Sequence, residues 1–589
     1  MLSSSRRIDD LTFETWHDPA GQHILEFRYL QRAPSGEYER PVELFRRVAK
    51  NLAKAEEVFT PTIDPETEQE LAERFFLLMT DGKFLPNAPT LLGAGGPSQQ
   101  LHACVLLPIE DSIDAIFEAV RKAAVVHSRG AGTGFCISKI RERNSPIMTG
   151  GCATGPVSFL KVFDAETDVI KHGGTGWGAN MAVLRCDHPD VLEFVDAKSS
   201  AHSLTNFNIS VGITDGFMAC FERNEVYGLK SPRTGEVVRT IQPKELMGRI
   251  AQRAWANGDP GLLFLDRINR DNPTPGLGPI EATNPCAEAP LLPYESCCLG
   301  GINVLAHIHE SESDLDWYAL RETCSTALRM MDNTIEMSRY PLPEVQSATM
   351  RTRKVGIGIM GFADALLRLG ISYSSEAAEG LARRVMREIR TNLTKASELL
   401  ADERGAFPAF HQSCFSNGRP RRNATTTANA PNSTISLIAG CSAGIEPLFS
   451  LVYRRITRNG EVTVANSEVK RLLRIHPTQP NTNVRRAEDG ESNDWYELPE
   501  DLRDLCVTAH DISAEWHLRI QAAVQENTEL GVAKTINLPN SAGPDDVQAA
   551  FVRAHALGCK GITCYREGSR EQAFLSVGHR PDTASLSAK

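Results

Sequence analysis

Apolar residues recur at three- and four-residue spacing in several stretches of the chain, and this spacing places them on one face of a helix. Short apolar runs bounded by turn residues instead predict strands. The predicted helices cover 42–58, 66–79, 111–126, 376–400 and 509–526. The predicted strands cover 101–108, 135–140, 181–184, 206–211, 534–538 and the stretch around 558–565. Their alternation predicts a large α/β fold with a mostly parallel sheet or barrel, after a small helical region of about 80 residues.

The composition is that of a soluble protein, with 41% hydrophobic and 23% charged residues. The net charge of -11 argues against a broad surface for polymeric nucleic acid. The start of the chain has no apolar run typical of a secretory signal, and no window has the length of a membrane helix. We therefore expect a cytoplasmic protein. The 14 cysteines include no CxxC pair, so we expect no structural zinc site.

The stretch with the most chemistry is Asn284-Pro285-Cys286-Ala287-Glu288-Ala289-Pro290. In extended backbone, residues two apart face the same side, so the amide, the thiol and the carboxylate would face one spot. The two prolines fit a central strand poorly and favour the tip of an extended loop. These groups suit one-electron or nucleophilic chemistry. The alternative is a surface turn with a buried cysteine.

Three further stretches have a loop-like composition that suits ligand binding. Two are glycine-dense, 130–135 and 173–180, and either could be an ordinary turn. The third, 430–436, places small hydroxyl and amide residues after a proline. Such a sequence fits a phosphate-binding helix start and fits a plain N-cap equally well.

Two motifs resemble known sites but lack the context that those sites require. Residues 356–361 match GxGxxG. In a dinucleotide site the acidic residue that follows this motif lies at the end of a second strand. Here Glu376 instead begins a predicted helix, with Ser375 as its N-cap. We therefore expect these glycines to serve close packing. His307 and His309 have no third ligand at a sensible spacing, so we expect solvated histidines.

Several stretches together resemble the catalytic subunit of ribonucleotide reductase, most closely the adenosylcobalamin-dependent class II enzymes. They occur in family order over 84–570 and read FLPNAPTLL, HACVLLPIEDSI, GAGTGF, GANM, LTNFNISVGI, NPCAEAPLLPYESCCLGGIN, VGIGIMGFADAL, APNSTISLIAGCSAGIEP, KTINLP and GCKGITCYREGSR. The resemblance implies a ten-stranded α/β barrel with a central finger loop. It implies three regions: a helical region over 1–83, the barrel over 84–570 and a disordered tail over 571–589.

The resemblance also implies roles for the residues of the finger loop. Cys286 would carry the thiyl radical that takes the 3′ hydrogen of the ribose. Glu288 would accept the proton of the 3′-hydroxyl, and Asn284 would hydrogen-bond the ribose hydroxyls.

Further roles follow from the same resemblance. Cys104 and Cys297 would supply two electrons and end as a disulfide; Cys297 is preferred to Cys298 because its spacing from Cys286 is that of the family. The substrate pocket would be lined by Ala88, Ala103 and Gly132. The substrate phosphates would be bound by Pro431, Asn432, Ser433, Thr434 and Ile435.

The class assignment depends on Cys564 and Tyr565. Class I chains carry two consecutive tyrosines at this place to relay a radical from a small subunit, and the cysteine would interrupt that relay. Adenosylcobalamin generates its radical beside the substrate and needs no relay. The resemblance therefore implies a ribonucleoside-diphosphate reductase that uses adenosylcobalamin, and it disfavours a class I large subunit. It implies no metal site built from the protein's own side chains.

The chain departs from the family pattern in the loops that bind effectors. Thr175-Gly176-Trp177 stand where two arginines are usual, and the 198–203 loop is short. The resemblance implies a homodimer with dNTP effectors at its interface, and these departures bear on that control. The family's cysteine-rich tail is not found, so we expect re-reduction by a thioredoxin-type reductant or by a second polypeptide that carries the tail. The alternative function is a non-catalytic or partner-dependent nucleotide-binding paralogue.

Overall fold

The computed structural model describes residues 19–32, 36–148, 150–173, 178–200, 202–309, 313–457, 460–475, 500–569 and 575–576. The helices are α1 (Pro19–Ile24), α2 (Pro41–Ala53), α3 (Glu56–Phe59), α4 (Pro65–Thr80), α5 (Ala88–Gly93), α6 (Ile113–Ser128), α7 (Pro156–Gly173), α8 (Val191–Val195), α9 (Asp215–Arg223), α10 (Pro243–Asn257), α11 (Leu265–Arg270), α12 (Trp317–Met337), α13 (Pro343–Thr352), α14 (Phe362–Arg368), α15 (Glu376–Arg404), α16 (Ile435–Ile438), α17 (Ser467–Ile475), α18 (Glu500–Leu505), α19 (Ala514–Gln525) and α20 (Pro544–Ala556).

The strands include two short hairpins and the members of a large sheet. They are β1 (Phe84–Pro86), β2 (Cys104–Pro108), β3 (Gly132–Cys136), β4 (Asn180–Arg185), β5 (Phe207–Ile213), β6 (Tyr227–Lys230), β7 (Val237–Ile241), β8 (Gly261–Phe264), β9 (Ala282–Thr283), β10 (Pro290–Leu291), β11 (Leu299–Asn303), β12 (Gly356–Met360), β13 (Val452–Thr457), β14 (Gly460–Ala465), β15 (Thr535–Leu538), β16 (Gly561–Arg566) and β17 (Leu575–Ser576).

The N-terminal helices α2 and α4 form as their apolar spacing predicts. Proline occupies the first turn of each, where its missing N–H costs no intrahelical bond. Their apolar faces bury Phe45, Leu52, Phe75 and Phe76 in one core with α12 and α15. The helical region therefore shares its core with the helices that surround the barrel.

The large sheet has seven strands in the order β15-β16-β8-β5-β4-β3-β2. Its neighbours pair in parallel except β16 and β8, which are antiparallel. Helices α6 and α7 connect β2 to β3 and β3 to β4, as parallel strands require a crossover between them. The predicted α/β class with a mostly parallel sheet is confirmed.

The edge of the sheet at β2 continues into further strands. Cys297 donates its backbone N–H to the carbonyl of Cys104 at 3.1 Å, and Val105 bridges Ser296 in antiparallel fashion. The segment 294–297 then runs into β11, which pairs in parallel with β12. Strand β1 lies antiparallel on the other side of β11.

The opposite edge, at β15, is reached from β12 through one more extended segment. Ile357 of β12 donates its N–H to Thr426 at 2.9 Å, and Asn429 donates to the carbonyl of Gly531 at 3.0 Å. Gly531 leads directly into β15, so the ring closes. The seven strands, together with β11, β12 and the segment 425–429, make the ten members of the predicted barrel.

Packing explains the glycines of the GxGxxG motif, and the two histidines of the other motif differ in their burial. A Cβ on Gly356 would lie 2.6 Å from the Cβ of Ala428, and one on Gly358 would lie 2.4 Å from its carbonyl oxygen. These glycines therefore allow β12 to approach its neighbour, as expected. For His307 the prediction is wrong, because the ring is buried and its two nitrogens contact Asn303 and Thr323. His309 is exposed as predicted.

Two predicted features fall outside the described residues: the departure at 175–177 and, apart from β17, the tail from 571 onwards. Within the described part of the chain, no helix is both long enough and apolar enough to cross a membrane.

Candidate active site

A hairpin lies inside the ring of strands and carries the residues 284–289 at its tip. Its stem is the antiparallel pair β9 and β10, in which Thr283 faces Pro290. On one side, Asn208 of β5 donates its side-chain N–H to the carbonyl of Pro285 at 2.8 Å. On the other side, Gly531 donates its backbone N–H to the carbonyl of Glu288 at 2.7 Å. The hairpin, called the finger loop below, therefore spans the barrel from β5 to the segment before β15.

Two glycines allow the barrel wall to approach this hairpin. A Cβ on Gly134 of β3 would lie 2.1 Å from the carbonyl oxygen of Thr283. A Cβ on Gly531 would lie 2.6 Å from the carbonyl oxygen of Ala287. Because real Cβ atoms do not come so close to backbone, any side chain here would displace the hairpin.

The tip is a tight turn, and the predicted extended backbone is wrong. Ala287 has φ 67°, and its N–H bonds the carbonyl of Asn284 at 3.0 Å. The side-chain oxygen of Asn284 accepts the N–H of Ala289 at 3.0 Å. The side-chain nitrogen then lies 3.9 Å from the sulfur of Cys104. The turn, rather than alternation along a strand, gathers the functional groups.

The carboxyl group of Glu288 is buried at the tip of the hairpin. Its Oε2 atom has no hydrogen-bond partner among the described residues. Burial raises the pKa of Glu288 to about 7, although a hydrogen bond from Asn284 opposes this shift. Near neutral pH this carboxyl group can therefore both accept and release a proton.

Cys286 is the most exposed residue of the hairpin tip. Asn208 on β5 is also exposed, although both residues lie within the ring of strands. Protein atoms nevertheless surround the sulfur, and burial together with nearby Glu288 and Cys104 raises the pKa of Cys286 well above its usual value. The sulfur is thus protonated and lies beside a space that solvent can enter.

Cys104 and Cys297 form a pair of free thiols next to this tip. Contact with the Cys297 thiol and burial raise the pKa of Cys104 well above its usual value. Cys298 points elsewhere, and its sulfur lies 3.5 Å from the carbonyl of Met331 in the helical core. The geometry therefore pairs Cys104 with Cys297.

Two of the three predicted pocket residues lie beside the thiol pair. The carbonyl of Ala103 accepts the N–H of Gly132 at 2.9 Å, and a Cβ on Gly132 would lie 3.4 Å from the Cys104 sulfur and from Pro285. Ala88 lies at the start of α5, packed against the helical core.

The predicted phosphate-binding stretch forms a turn that enters the four-residue helix α16. Asn432 has φ 54° and donates its side-chain N–H to the carbonyl of Ile359 at 3.1 Å. Pro431 precedes it, Ser433 is exposed, Thr434 is partly exposed and Ile435 is buried in the core. The turn thus carries two hydroxyl residues that solvent reaches, one fully and one in part.

Comparison with known proteins agrees with this architecture. Residues 15–99 match the family model of the ribonucleotide reductase all-alpha domain, and residues 102–565 match that of the ribonucleotide reductase barrel domain. The chain belongs to the ribonucleotide reductase family.

Two curated relatives of this family are named vitamin B12-dependent ribonucleoside-diphosphate reductase. The one from Mycobacterium tuberculosis (strain CDC 1551 / Oshkosh) is 45% identical over 557 residues, which cover 94% of this chain and 80% of the relative. The one from Thermoplasma acidophilum is 39% identical over 614 residues, which cover 94% and 79%. The similarity therefore extends over both the helical region and the barrel.

Sequence reasoning missed two residues that support the finger loop of this reductase, Asn208 and Gly531. Asn208 was detectable in principle, because it interrupts the apolar strand β5 and is the exposed member of it. Gly531 had no such signal. Its role depends on the segment before β15, which lies more than two hundred residues after the finger loop and packs against it.

Proposed function

We propose that this chain reduces ribonucleoside diphosphates to 2′-deoxyribonucleoside diphosphates with adenosylcobalamin as the radical source. The observation that carries the proposal is the convergence of one accessible thiol, one carboxyl group and one dithiol within the barrel. These belong to Cys286, Glu288 and the pair Cys104–Cys297. The activity for which the two relatives are named supports the substrate and the cofactor.

The chemistry divides between hydrogen-atom transfer and two-electron reduction. The Cys286 thiyl radical takes the 3′ hydrogen of the ribose, and Glu288 takes the proton of the 3′-hydroxyl. The 2′-hydroxyl leaves as water after it is protonated by the dithiol. Cys104 and Cys297 give two electrons and two protons in total and form a disulfide. One of the two thiol hydrogens ends in the water and the other on the 2′ carbon. Glu288 then returns its proton to the 3′ oxygen, and Cys286 returns its hydrogen to the 3′ carbon and is again a thiyl radical.

The open interior beside Cys286 fits a bulky radical source that approaches from solvent. When bound, adenosylcobalamin supplies a carbon radical by splitting its own cobalt–carbon bond. Within the described residues there is no group of three or more histidine, cysteine, aspartate or glutamate side chains suited to a metal. Cys286, the most exposed residue of the hairpin tip, would face the bound cofactor and give its hydrogen atom to that carbon radical.

The turn at 431–435 would hold the substrate phosphates. Support comes from the exposed hydroxyl of Ser433 and the partly exposed Thr434, since hydroxyl donors suit phosphate oxygens. Asn432 would hold the turn through its bond to Ile359. Asn284 would bond the ribose hydroxyls, and Ala88, with Ala103 and Gly132, would complete the pocket wall.

The proposal also includes the domains and the partners. We propose a helical region over 1–83, a catalytic barrel over 84–570 and a homodimer that binds dNTP effectors. The disulfide formed in each turnover would be reduced by a thioredoxin-type protein or by a second polypeptide that carries a dithiol.

The test is reduction of cytidine diphosphate by the purified chain with adenosylcobalamin and excess dithiothreitol, beside a control without cobalamin. We expect deoxycytidine diphosphate only when cobalamin is present. A Cys286→Ser variant should lose this activity, whereas Cys152→Ser, which changes an exposed cysteine, should retain it. If no product forms with any nucleotide or effector, the chain is a nucleotide-binding paralogue or depends on a partner chain.

A further inference from the structure

A tyrosine of the N-terminal helical region contacts the turn proposed to bind phosphate. The hydroxyl oxygen of Tyr29 lies 2.7 Å from the Oγ1 atom of Thr434, a separation of 405 residues along the chain. Tyr29 is buried, with 1% of its surface exposed, whereas Thr434 is partly exposed. A buried hydroxyl thus meets a side chain that solvent and ligands can reach.

The surroundings hold this contact in place. Tyr29 ends a π-helical turn, Leu25–Tyr29, that follows α1 directly. Leu25 is fully buried in the same core as Ile435 and Ile438 of α16. A helix of one turn is too short to be stable by its own hydrogen bonds. Packing against the N-terminal region therefore stabilises α16 and the turn before it.

The direction of the hydrogen bond depends on what Thr434 binds. Either hydroxyl can donate in the free protein. A threonine hydroxyl has one proton and two acceptor sites, so once it donates to an anion it can only accept from its neighbour. Tyr29 would then donate to Thr434, and Thr434 to the anion. Such a chain of hydrogen bonds polarises each member in turn.

We propose that Tyr29 is a positioning residue that orients the Thr434 hydroxyl towards the substrate phosphate. This inference rests on the proposed function of the 431–435 turn. It assigns to the N-terminal helical region a direct part in binding the diphosphate, through a single hydrogen bond. Tyr29 itself acts through Thr434 and does not touch the substrate.

The first experiment compares Tyr29→Phe with Tyr38→Phe. The first change removes only the buried hydroxyl, and the second removes one from an exposed tyrosine of the same region. We expect Tyr29→Phe to raise the KM for cytidine diphosphate by about 3- to 10-fold, as loss of one hydrogen bond near a charge does. We expect kcat to stay within about twofold. Tyr38→Phe should change neither constant. A Tyr29→Phe variant with unchanged KM overturns the proposal.

A double-mutant cycle separates positioning from a general structural role. Binding of cytidine diphosphate and of cytidine is measured by calorimetry for the wild type, Tyr29→Phe, Thr434→Val and the double variant. We expect Tyr29→Phe to weaken only the diphosphate, and to add nothing once Thr434 is valine. Additive losses, or equal weakening of cytidine, would show that Tyr29 acts by packing and would overturn the proposal.

The same cycle distinguishes failure of the inference from failure of the proposed function. If Thr434→Val leaves diphosphate binding unchanged, the phosphate role of the turn is wrong and the inference falls with it. If Thr434→Val weakens binding and Tyr29→Phe does not, the phosphate role stands and only the role of Tyr29 is refuted.

Discussion

Two of the buried carboxylates, one at the tip of the finger loop and one outside the barrel, differ greatly in their proton affinities. Glu288 is 3% exposed and Asp332, on α12, is fully buried. Burial by itself would raise the pKa of both groups. The net result differs, because the pKa of Glu288 is raised to about 7 and that of Asp332 is lowered to about 2. Burial alone therefore does not decide the charge of either group.

The difference lies in the cations around Asp332. Arg353 and Arg404 each lie 2.8 Å from its carboxylate, and Arg422 lies at 3.3 Å. Their attraction outweighs desolvation, so Asp332 remains charged and ties together segments that are distant in sequence. Glu288 has no such cation, and one of its oxygens is unpartnered among the described residues. Cations thus compensate the buried charge of Asp332, which holds the fold, but not the carboxyl group of Glu288, which we propose exchanges a proton.

The largest expected effect comes from removing the charge of Asp332. In Asp332→Asn, three buried arginines lose their shared partner, and we expect the free energy of unfolding to fall by about 3–5 kcal/mol. The shift of the urea midpoint, with the slope of the transition, measures this change. A loss below about 1 kcal/mol would show that the cluster is not a compensated unit.

Glu288→Gln is expected to increase the free energy of unfolding, whereas Asp332→Asn lowers it. Below pH 4.5 the carboxyl group is protonated in both the folded and the unfolded protein, and above pH 7 it is charged in both. Between these values the folded protein retains a proton that the unfolded chain releases. Stability of the wild type therefore falls as pH rises through this window. We expect the variant to be more stable by about 1–3 kcal/mol at pH 8, with no advantage near pH 4.5. Equal stability at pH 8 would contradict the raised pKa.

The rate of reduction should depend on the same group. If Glu288 takes the proton of the 3′-hydroxyl, kcat should fall by about tenfold per pH unit below pH 7. Glu288→Gln should lower kcat by about 10²- to 10⁴-fold and abolish this limb of the profile. Stopped assays of deoxycytidine diphosphate across pH 5.5–8.5 give the profile. An unchanged limb in the variant would assign the titration to another group.

The smallest effect is expected for a carboxylate at the surface. Asp314 lies 3.2 Å from Arg384, and its side chain is 49% exposed. Solvent screens this pair, so Asp314→Asn should change the free energy of unfolding by less than about 1 kcal/mol. The difference between the losses of unfolding free energy in Asp332→Asn and in Asp314→Asn measures how much burial of the ion pair contributes. A loss as large as that of Asp332→Asn would remove burial as the explanation.

Much of the fold followed from local patterns. The five predicted helices all form, and the long one begins after Ser375, whose side chain accepts the N–H of Ala378 as an N-cap should. The predicted strands form at β2, β4, β5, β15 and β16, whereas β3 covers Gly132–Cys136 and shares only its last two residues with the predicted 135–140. Periodicity succeeds here because each of these elements buries one apolar face or a continuous apolar run.

The finger loop shows where local reasoning ends. The residues Asn284, Cys286 and Glu288 were identified correctly as neighbours, but the extended backbone was wrong because Ala287 adopts a left-handed conformation. Contacts that are distant in sequence support this turn, among them those of Asn208 and Gly531. A pattern within a dozen residues contains no information about them.

The contact between Gly531 and Glu288 also fixes when the protein can become reactive. The finger loop is translated first, and Gly531 follows more than two hundred residues later. Until that strand leaves the ribosome, one side of the barrel is open and the hairpin lacks its second support. The thiol of a nascent chain is therefore not yet held beside its carboxyl group. The proposed radical chemistry would therefore have to wait until the chain has been made at least as far as Gly531, which would protect an unfinished chain from its own reaction.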